Sequence, residues 1–355
     1  SNIITNVNIG TVFIGCGANS AYQDVGNDVG GIAVSTGNTF SNFGSSSNPS
    51  GFQSVAGRIM GIQFNHQQGS NVSYNSFTTA SITPVASTTL IYQNFGSIAP
   101  TTGSFTNTIS YNTITATVTT LPTFQMIRTE DMTVAVSGVT YNISNNTILN
   151  CSTAGSFIGI SNTSAPGTIN INNNTIRGTS SSGASAGFTG IQSGGSIPTT
   201  ININNNQIGN SSGNAITFSA GTSGTVLGIS NTGGTSTTAV SISNNNFQGF
   251  VHSTAATSAH TYIQNTATTL SQTISSNTFT NLNVNTTGNV TFISDNVGLS
   301  STGSKVISSN SIVTAFNKGS AGGTVTFFNS TTSSTAGSTH TCSNNVFSNV
   351  TVTGS

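Results

Sequence analysis

Apolar and polar residues follow one short pattern that recurs along almost the whole chain. Its form is apolar-x-x-Asn-x-apolar, as in Ile171, Asn174 and Ile176. Side chains on a β-strand point alternately to opposite faces, so apolar residues two positions apart, such as Ile169 and Ile171, fall on the same face. The pattern therefore predicts a short strand before each such asparagine and another after it.

The asparagine of this pattern, here called the anchor, returns every 28 to 39 residues, around a period near 34. The anchors are Asn75, Asn112, Asn146, Asn174, Asn206, Asn245, Asn277, Asn310 and Asn345, with Asn38 in a degenerate copy ahead of them. Helical repeat arrays have similar periods. Here, however, helix-forming residues are scarce, while β-branched residues and Asn-Asn pairs fill the repeat, which favours strands.

A second apolar run lies between successive anchors and predicts a third strand in each unit. Examples are residues 157–160 and 226–229, each with an apolar-x-Gly-Ile sequence. Three short strands joined by turns describe one coil of a parallel β-helix, in which each coil stacks its apolar residues on the next. The sequence thus predicts an all-β fold, a β-solenoid of about ten coils with three strands per coil.

Two roles are expected for the anchor asparagine. Asparagine tolerates the left-handed backbone that a sharp corner needs, and its amide can donate to one neighbouring coil and accept from the other. We therefore expect a ladder of amides inside the stack. The polar segments 178–187 and 233–238 have no apolar pattern and are predicted to be surface loops.

The whole chain, residues 1–355, is predicted to be a single β-solenoid segment, because an internal period overrides a domain count based on length. Residues 1–31 are expected to form an irregular or incomplete first coil. Because the chain begins at Ser1 and ends just past a repeat, we expect an excerpt of a longer repetitive chain. No apolar run approaches the roughly 18 residues that span a bilayer, so membrane insertion is not expected.

Charged residues make up only 3% of the chain, five Lys plus Arg and five Asp plus Glu, with a formal net charge of zero. An ordinary soluble domain has about 25% charged residues. Binding to nucleic acid through charge is therefore not expected. The regular spacing of apolar residues, which include 20 Phe, argues against a disordered polymer. An uncharged polar surface over ordered apolar rows is typical of secreted fibrous proteins and predicts an extracellular location.

Few residues are available for acid–base chemistry. The acidic residues are Asp24, Asp28, Glu130, Asp131 and Asp295. Glu130 and Asp131, beside Arg128, are adjacent on a strand and point to opposite faces, which predicts a surface ion pair rather than a catalytic pair. The histidines, His66, His252, His260 and His340, show no metal-ligand spacing. No catalytic residue is predicted, and the chain is not expected to be an enzyme.

The densest group of oxygen ligands consists of Asp24, Asn27 and Asp28, which lie among glycines. These side chains could bind Ca²⁺ together with backbone carbonyls, whereas the alternative is a turn with solvated carboxylates. Calcium is the only cofactor that the sequence suggests.

The three cysteines, Cys16, Cys151 and Cys342, lie far apart and predict neither a disulfide framework nor a zinc site. Cys342 occupies the position that Ile or Val has in other repeats, and Cys151 follows the apolar Leu149. Both are therefore predicted to be small buried hydrophobic residues.

The units at residues 143–148, 171–176 and 203–208 resemble the repeat of the pectate-lyase-like superfamily of right-handed parallel β-helices, and the match extends over roughly residues 32 to 350. The resemblance implies a right-handed solenoid. It does not imply one function, because that superfamily includes lyases, glycosidases, phage tailspikes and adhesins. The long Ser/Thr/Gly loops and the lack of charge also resemble segments of giant surface proteins of Bacteroidetes that the type 9 secretion system exports, including gliding adhesins.

These features together predict a non-enzymatic structural or adhesive segment of a large protein or filament on a bacterial cell surface. Its expected partners are neighbouring repeats of the same longer chain and, through the irregular loops, glycans or abiotic surfaces. Two alternatives stay open. One is a polysaccharide-degrading β-helix enzyme or tailspike-like depolymerase, and the other is ice binding, which would need Thr-x-Thr rows at the same place in every coil.

Overall fold

The computed structural model describes residues 1–7, 9–15, 23–43, 60–82, 87–95, 103–119, 123–130, 136–331 and 333–353. Within these ranges the regular structure is strand, apart from one 3₁₀ turn at Val34–Thr36. The strands pair in parallel and form a β-solenoid of about nine turns. The predicted all-β fold, a right-handed parallel β-helix of about ten coils, is thereby confirmed.

Each coil passes through three sheets, which are numbered here in the order in which the chain reaches them after an anchor. Sheet 1 consists of Ile3–Thr5, Thr39–Ser41, Ser76–Ile82, Thr113–Val118, Thr147–Leu149, Ser152–Thr153, Thr175–Arg177, Ser180–Ser181, Gln207–Gly209, Ile216–Phe218, Asn246–Gln248, Phe250–His252, Thr278–Thr280, Leu282–Val284, Ser311–Ile312, Phe316–Lys318 and Val350–Val352. Sheet 2 consists of Ile9–Ile14, Met60–Asn65, Thr88–Asn94, Phe124–Glu130, Phe157–Asn162, Phe188–Ser193, Val226–Asn231, His260–Asn265, Val290–Asp295 and Val325–Asn329. Sheet 3 consists of Asp28–Val29, Asn71–Ser73, Phe105–Ser110, Val136–Ser144, Pro166–Asn172, Thr200–Asn204, Ala239–Ser243, Thr269–Ser275, Leu299–Ser308 and Thr339–Ser343. A separate pair joins Asp24–Val25 to Gln67–Gln68.

Equivalent positions of the repeat lie beside one another in neighbouring coils. In sheet 3, Ile143 pairs with Ile171, which pairs with Ile203, and in sheet 1 Ile176 pairs with Ile208. All five side chains are at most 1% exposed. Burial of apolar surface is the main favourable contribution to folding, and here it depends on the coil above and the coil below. The core is therefore shared along the stack rather than closed within one coil.

Glycine in the sheet 2 repeat makes room for the apolar residue that follows each anchor. A Cβ atom at Gly159 would lie 2.6 Å from Cδ1 of Ile176, and one at Gly190 would lie 2.9 Å from Cδ1 of Ile208. Non-bonded carbon atoms prefer separations of roughly 3.5–4.0 Å. The glycine of the apolar-x-Gly-Ile pattern thus lies directly against the apolar residue of sheet 1, where a side chain would not fit.

Most coils have a second short strand in sheet 1, which the repeat pattern does not predict. Ser180–Ser181 pairs in register with Ser152–Thr153. The predicted surface loop 178–187 therefore begins inside the stack, where Thr179 and Ser181 are buried. That part of the prediction is wrong because small hydroxyl side chains occupy the inward positions, so the alternation of apolar residues is missing.

Outward positions repeat less regularly than inward ones. The row that follows the anchors in sheet 1 has Thr113, Thr147 and Thr175 in register, and it continues with Gln207 and Asn246. Selection for packing acts on the inward rows, while the outward rows meet solvent and need not match between coils. A regular threonine row, as ice binding would require, does not extend along this face.

The residues before the first anchor contribute one strand to each of the three sheets. Ile3–Thr5, Ile9–Ile14 and Asp28–Val29 pair in register with the strands of the next coil. The irregular part of this coil that the structure describes is the segment that includes the 3₁₀ turn Val34–Thr36.

The two cysteines that the structure describes have different environments. Cys151 is buried, as predicted, and burial raises the pKa of its thiol to about 12. Cys342 is exposed, so the prediction that it is buried is wrong. It occupies the register position of Ile307 in the preceding coil, but no described coil follows to cover it. Cys16 lies outside the described residues.

Candidate functional site

The anchor asparagines form a continuous ladder of hydrogen bonds from Asn38 to Asn345. At every step the Nδ2 atom of one anchor donates to Oδ1 of the next at 2.9–3.1 Å. The backbone N–H of each anchor donates to that same oxygen at 2.9–3.2 Å. Asn2 extends the ladder into the first coil, because its backbone N–H and Nδ2 both donate to Oδ1 of Asn38 at 3.0 Å.

From Asn75 onward, the second hydrogen on Nδ2 of each anchor bonds to a backbone carbonyl of the coil before. Asn174 donates to the carbonyl of Ile143 at 2.9 Å, and Asn206 donates to the carbonyl of Ile171 at 2.8 Å. An amide inside the ladder thus donates twice and accepts twice. Buried polar groups need such partners, because an unpaired donor or acceptor loses its hydration without compensation. The anchors are structural residues whose hydrogen-bonding capacity is fully used.

From Asn75 to Asn345 the left-handed backbone lies on the residue before the anchor, so the prediction that the anchor itself adopts this conformation is wrong. Asn173, Asn205 and Ser276 have φ angles of 59°, 58° and 55°, whereas no anchor has a positive φ. In an Asn-Asn pair the first residue turns the chain with its side chain outside, and the second sends its amide into the ladder. The two roles expected of one residue are divided between two.

Of the three predicted calcium ligands, Asp24 and Asn27 share a hydrogen-bond partner, whereas Asp28 bonds to a different residue. Nε2 of Gln67 donates to Oδ2 of Asp24 at 3.2 Å, while Nδ2 of Asn27 donates to Oε1 of Gln67 at 2.5 Å. Asp28 is exposed, and its Oδ1 accepts instead from Nδ2 of Asn71 at 2.7 Å. Gln67 therefore brings Asp24 and Asn27 together. Calcium binding by these residues stays a prediction, which calorimetric titration with Ca²⁺ can test.

Glu130 is buried in the wall of the stack, so its predicted place on the surface is wrong. Its carboxylate accepts from the hydroxyl of Tyr92 in the preceding coil and pairs with the guanidinium of Arg128. Nη1 of Arg128 also donates to Oε1 of Gln125 at 3.2 Å. The ion pair exists, but the tyrosine and the arginine take the place of solvent around the carboxylate. Asp131, its predicted neighbour, lies outside the described residues.

A buried ion pair joins Asp295 of sheet 2 to Lys305 of sheet 3, and the sequence does not predict it. Nζ of Lys305 lies 2.8 Å from Oδ2 of Asp295, and the two side chains are 3% and 0% exposed. Nζ also donates to Oγ of Ser330 at 3.1 Å, and Asn265 donates to Oδ1 of Asp295 at 3.0 Å. Burial raises the pKa of Asp295, and the lysine opposes this shift. Asp295 pairs in register with Asn265, so a carboxylate here replaces an amide of the coil before.

Two buried histidines meet at the corner between sheets 1 and 2. Nε2 of His252 lies 2.9 Å from Nε2 of His260, and Oγ of Ser258 lies 3.3 Å from the latter. The ring of His252 stacks on Phe218 with centroids 4.4 Å apart. Burial lowers the pKa of both imidazoles, that of His252 to about 4, so both are neutral at pH 7. Their separation of eight residues gives no ligand spacing, and only the closed coil brings them together.

We expect this histidine pair to make the fold sensitive to mild acid. An unfolded histidine gains a proton near pH 6.5, whereas folded His252 gains one only near pH 4. Between these values the unfolded chain binds more protons, so stability falls as the pH falls from 6.5 to 4 and then levels off. For His252 alone the loss is up to about 3 kcal/mol.

Chemical denaturation at a series of pH values measures this effect. The matched control is the double variant H252F/H260V, which introduces the residues that pair with these positions in the preceding coil, Phe218 and Val226. The original chain should lose stability relative to the double variant as the pH falls through this window. Parallel curves for the original chain and the double variant would contradict the prediction.

Within the described ranges, no group of three or more His, Cys, Asp or Glu side chains lies close enough to hold a metal ion. Nor does any described helix have the length and hydrophobicity to cross a bilayer. Inside the stack, the described ionisable side chains pair as Asp295 with Lys305, Glu130 with Arg128 and His252 with His260, while Nζ of Lys318 donates to the backbone carbonyls of Ser320 and Gly322. Comparison with known proteins finds no family model, curated protein or solved structure that matches this chain.

Proposed function

We propose that the chain is a non-enzymatic, extracellular segment of a large bacterial cell-surface protein or filament, with structural and adhesive roles. The main observation in support is the ladder from Asn2 to Asn345, which continues through every coil beside a shared apolar core. A stack whose cross-section is held by the same hydrogen bonds at each level can keep distant parts of a long chain apart.

The environments of the ionisable residues support the non-enzymatic part of this proposal. The carboxylate of Glu130 is engaged by Tyr92 and Arg128, and Asp295 is paired with Lys305 inside the stack. General acid–base catalysis needs a group that can reach the proton of a bound substrate. Side chains that are buried and paired with each other cannot readily reach a substrate, so a structural role fits them better than a catalytic one.

The composition of the exterior supports the adhesive part. Uncharged hydroxyl and amide groups make contacts by hydrogen bonding, which ionic strength weakens far less than it weakens contacts between exposed charges. We propose glycans or abiotic surfaces as the external partners, and neighbouring repeats of the same longer chain as the internal ones. The resemblance to gliding adhesins extends the proposal to export by the type 9 secretion system.

The proposal can be tested by incubating the purified chain with a panel of polysaccharides. We expect retention on at least one immobilised glycan or mineral surface at low and at high salt, with no new reducing ends and no unsaturated products. Turnover that disappears in the Glu130→Gln variant would overturn the proposal and favour the depolymerase alternative. If salt alone released the chain from every surface, the proposal that uncharged hydroxyl and amide groups make the contacts would be contradicted.

A further inference from the structure

Two tyrosines occupy corner positions where the other coils have small polar residues. Tyr74 and Tyr111 directly precede the anchors Asn75 and Asn112 and have φ angles of 61° and 56°. The residues at this corner in the later coils are Asn145, Asn173, Asn205, Asn244, Ser276, Ser309 and Asn344. Left-handed backbone is uncommon for residues other than glycine, asparagine and aspartate, and a bulky residue there is an outlier. Such an outlier, repeated in consecutive coils, points to a role other than folding.

The two rings form a stacked pair on the outside of the corner. Their centroids are 4.7 Å apart and their planes differ by only 3°. Tyr111 is 48% exposed although Tyr74 covers one face of its ring, whereas Tyr92, Tyr141 and Tyr262 are at most 1% exposed. We call Tyr74 and Tyr111 the tyrosine pair. It presents an aromatic surface to solvent instead of contributing to the core.

Hydrogen-bonding groups continue from the tyrosine pair along the outer face of sheet 3. The Oγ atoms of Ser73 and Ser110 lie 2.8 Å apart, and Ser73 donates to Oδ1 of Asn71 at 2.6 Å. Nδ2 of Asn71 in turn donates to the exposed carboxylate of Asp28 at 2.7 Å. Three residues of strand separate Asn71 from Tyr74, a distance on the order of 10 Å. An aromatic surface, an amide and a carboxylate therefore lie within the span of a short oligosaccharide.

We propose that the tyrosine pair binds a neutral polysaccharide. One sugar ring lies against the exposed part of Tyr111, and hydroxyl groups of a neighbouring sugar bond to Asn71 and Asp28. The face of an aromatic ring is electron-rich and attracts the weakly positive C–H groups on one side of a pyranose. A carboxylate and an amide together accept from and donate to sugar hydroxyls. This inference rests on the proposed adhesive function and places the glycan contact at a corner of the repeat.

The chemistry of this surface favours a neutral ligand. A nucleic acid or an acidic polysaccharide would require basic side chains to neutralise its charge. The side chains of this surface that reach solvent are two phenols, one amide and one carboxylate, while Ser73 and Ser110 are buried beneath it. The carboxylate of Asp28 would repel an anionic ligand instead of attracting it.

The test is affinity electrophoresis of the whole chain in native gels that contain a neutral glucan, mannan or xylan, with polygalacturonate as the charged comparison. The decisive variant is Y74N/Y111N, because asparagine is the residue that the fold itself uses at this corner. We expect a neutral polysaccharide to retard the original chain and to bind the double variant at least about tenfold more weakly. The melting temperature of the double variant should be equal or higher, because asparagine accepts a positive φ more readily than tyrosine does.

Two further controls separate binding from folding. Y111F keeps the aromatic face and should retain most of the affinity, while Asn173→Ser changes an equivalent corner and should retain all of it. Because the chain has no Trp and Tyr92, Tyr141 and Tyr262 are buried, ultraviolet difference absorbance reports mainly on exposed tyrosines. The polysaccharide should perturb this absorbance in the original chain but not in Y74N/Y111N.

Three results would overturn the proposal. Equal retardation of the original chain and of Y74N/Y111N would place glycan binding elsewhere, which leaves the adhesive function intact. Retardation by polygalacturonate alone would exclude a neutral ligand. Absence of retardation in every gel would remove glycan binding by this surface, while the structural role of the stack would be judged separately from its stability.

Discussion

Replacing Asn174 with leucine is expected to lower the free energy of unfolding by about 4 kcal/mol. Leucine fills a similar volume but removes the hydrogen-bond partner of three buried polar groups, at a cost of about 1–3 kcal/mol for each that cannot find another. These groups are the backbone N–H of Asn146, one hydrogen on its Nδ2 and the carbonyl of Ile143. Oδ1 of Asn206 loses one donor but keeps the backbone N–H of residue 174. A typical point substitution costs only about 1 kcal/mol.

Chemical denaturation followed by circular dichroism measures this loss. The matched control is Asn173→Ser, which changes the preceding residue at a corner where Ser276 and Ser309 show that serine is accepted. The control should lose less than about 1 kcal/mol. A loss of that same small size for Asn174→Leu would mean that the ladder adds little to stability.

The second large effect is expected when Lys305 is replaced and Asp295 is kept. Lys305→Gln leaves a carboxylate in the stack without its cation, and the removal of one partner from a buried pair costs about 3–5 kcal/mol. Because burial already raises the pKa of Asp295, this variant should regain stability as the pH falls and the carboxylate takes up a proton.

The preceding coil provides the control for this prediction. There Asn265 and Gln272 occupy the register positions of Asp295 and Lys305, and Nδ2 of Asn265 donates to Oε1 of Gln272. The double variant D295N/K305Q copies that neutral amide pair and should lie within about 1 kcal/mol of the original chain. If the double variant were as unstable as Lys305→Gln alone, the ion pair would have a role that an amide pair cannot fill.

The sequence predicts the parts of this fold that repeat. Apolar residues at fixed distances from an asparagine locate the strands on both sides of each corner, because burial in a stack demands the same residue type at the same height in each coil. The glycine at position 159 is likewise visible in the pattern, since a side chain there would meet Ile176. Asn2 escapes detection because, although Ile4 follows it at the expected distance, the sequence contains no position three residues before it.

Contacts that occur in one coil only are not predicted by the repeat. His252 and His260, like Asp295 and Lys305, are adjacent only because the coil closes on itself, and no period links their positions. The short strand Ser180–Ser181 is missed for a different reason, since hydroxyl groups fill its inward positions and leave no contrast between its two faces. The tyrosine pair is visible as a sequence difference at the corner, but its meaning depends on the positive φ angles and on the exposure of the rings.

The ladder also determines how the length of such a protein can change. Every anchor presents two N–H groups toward the next coil, and Oδ1 together with one N–H toward the coil before, whatever the length of the intervening loops. Removal or duplication of one whole coil would therefore leave the same ladder hydrogen bonds between the coils that become neighbours, with no anchor donor or acceptor unpaired. Whole coils of 28 to 39 residues, measured from anchor to anchor, each add one level to the stack, so gene segments of unequal length become interchangeable units of the same height.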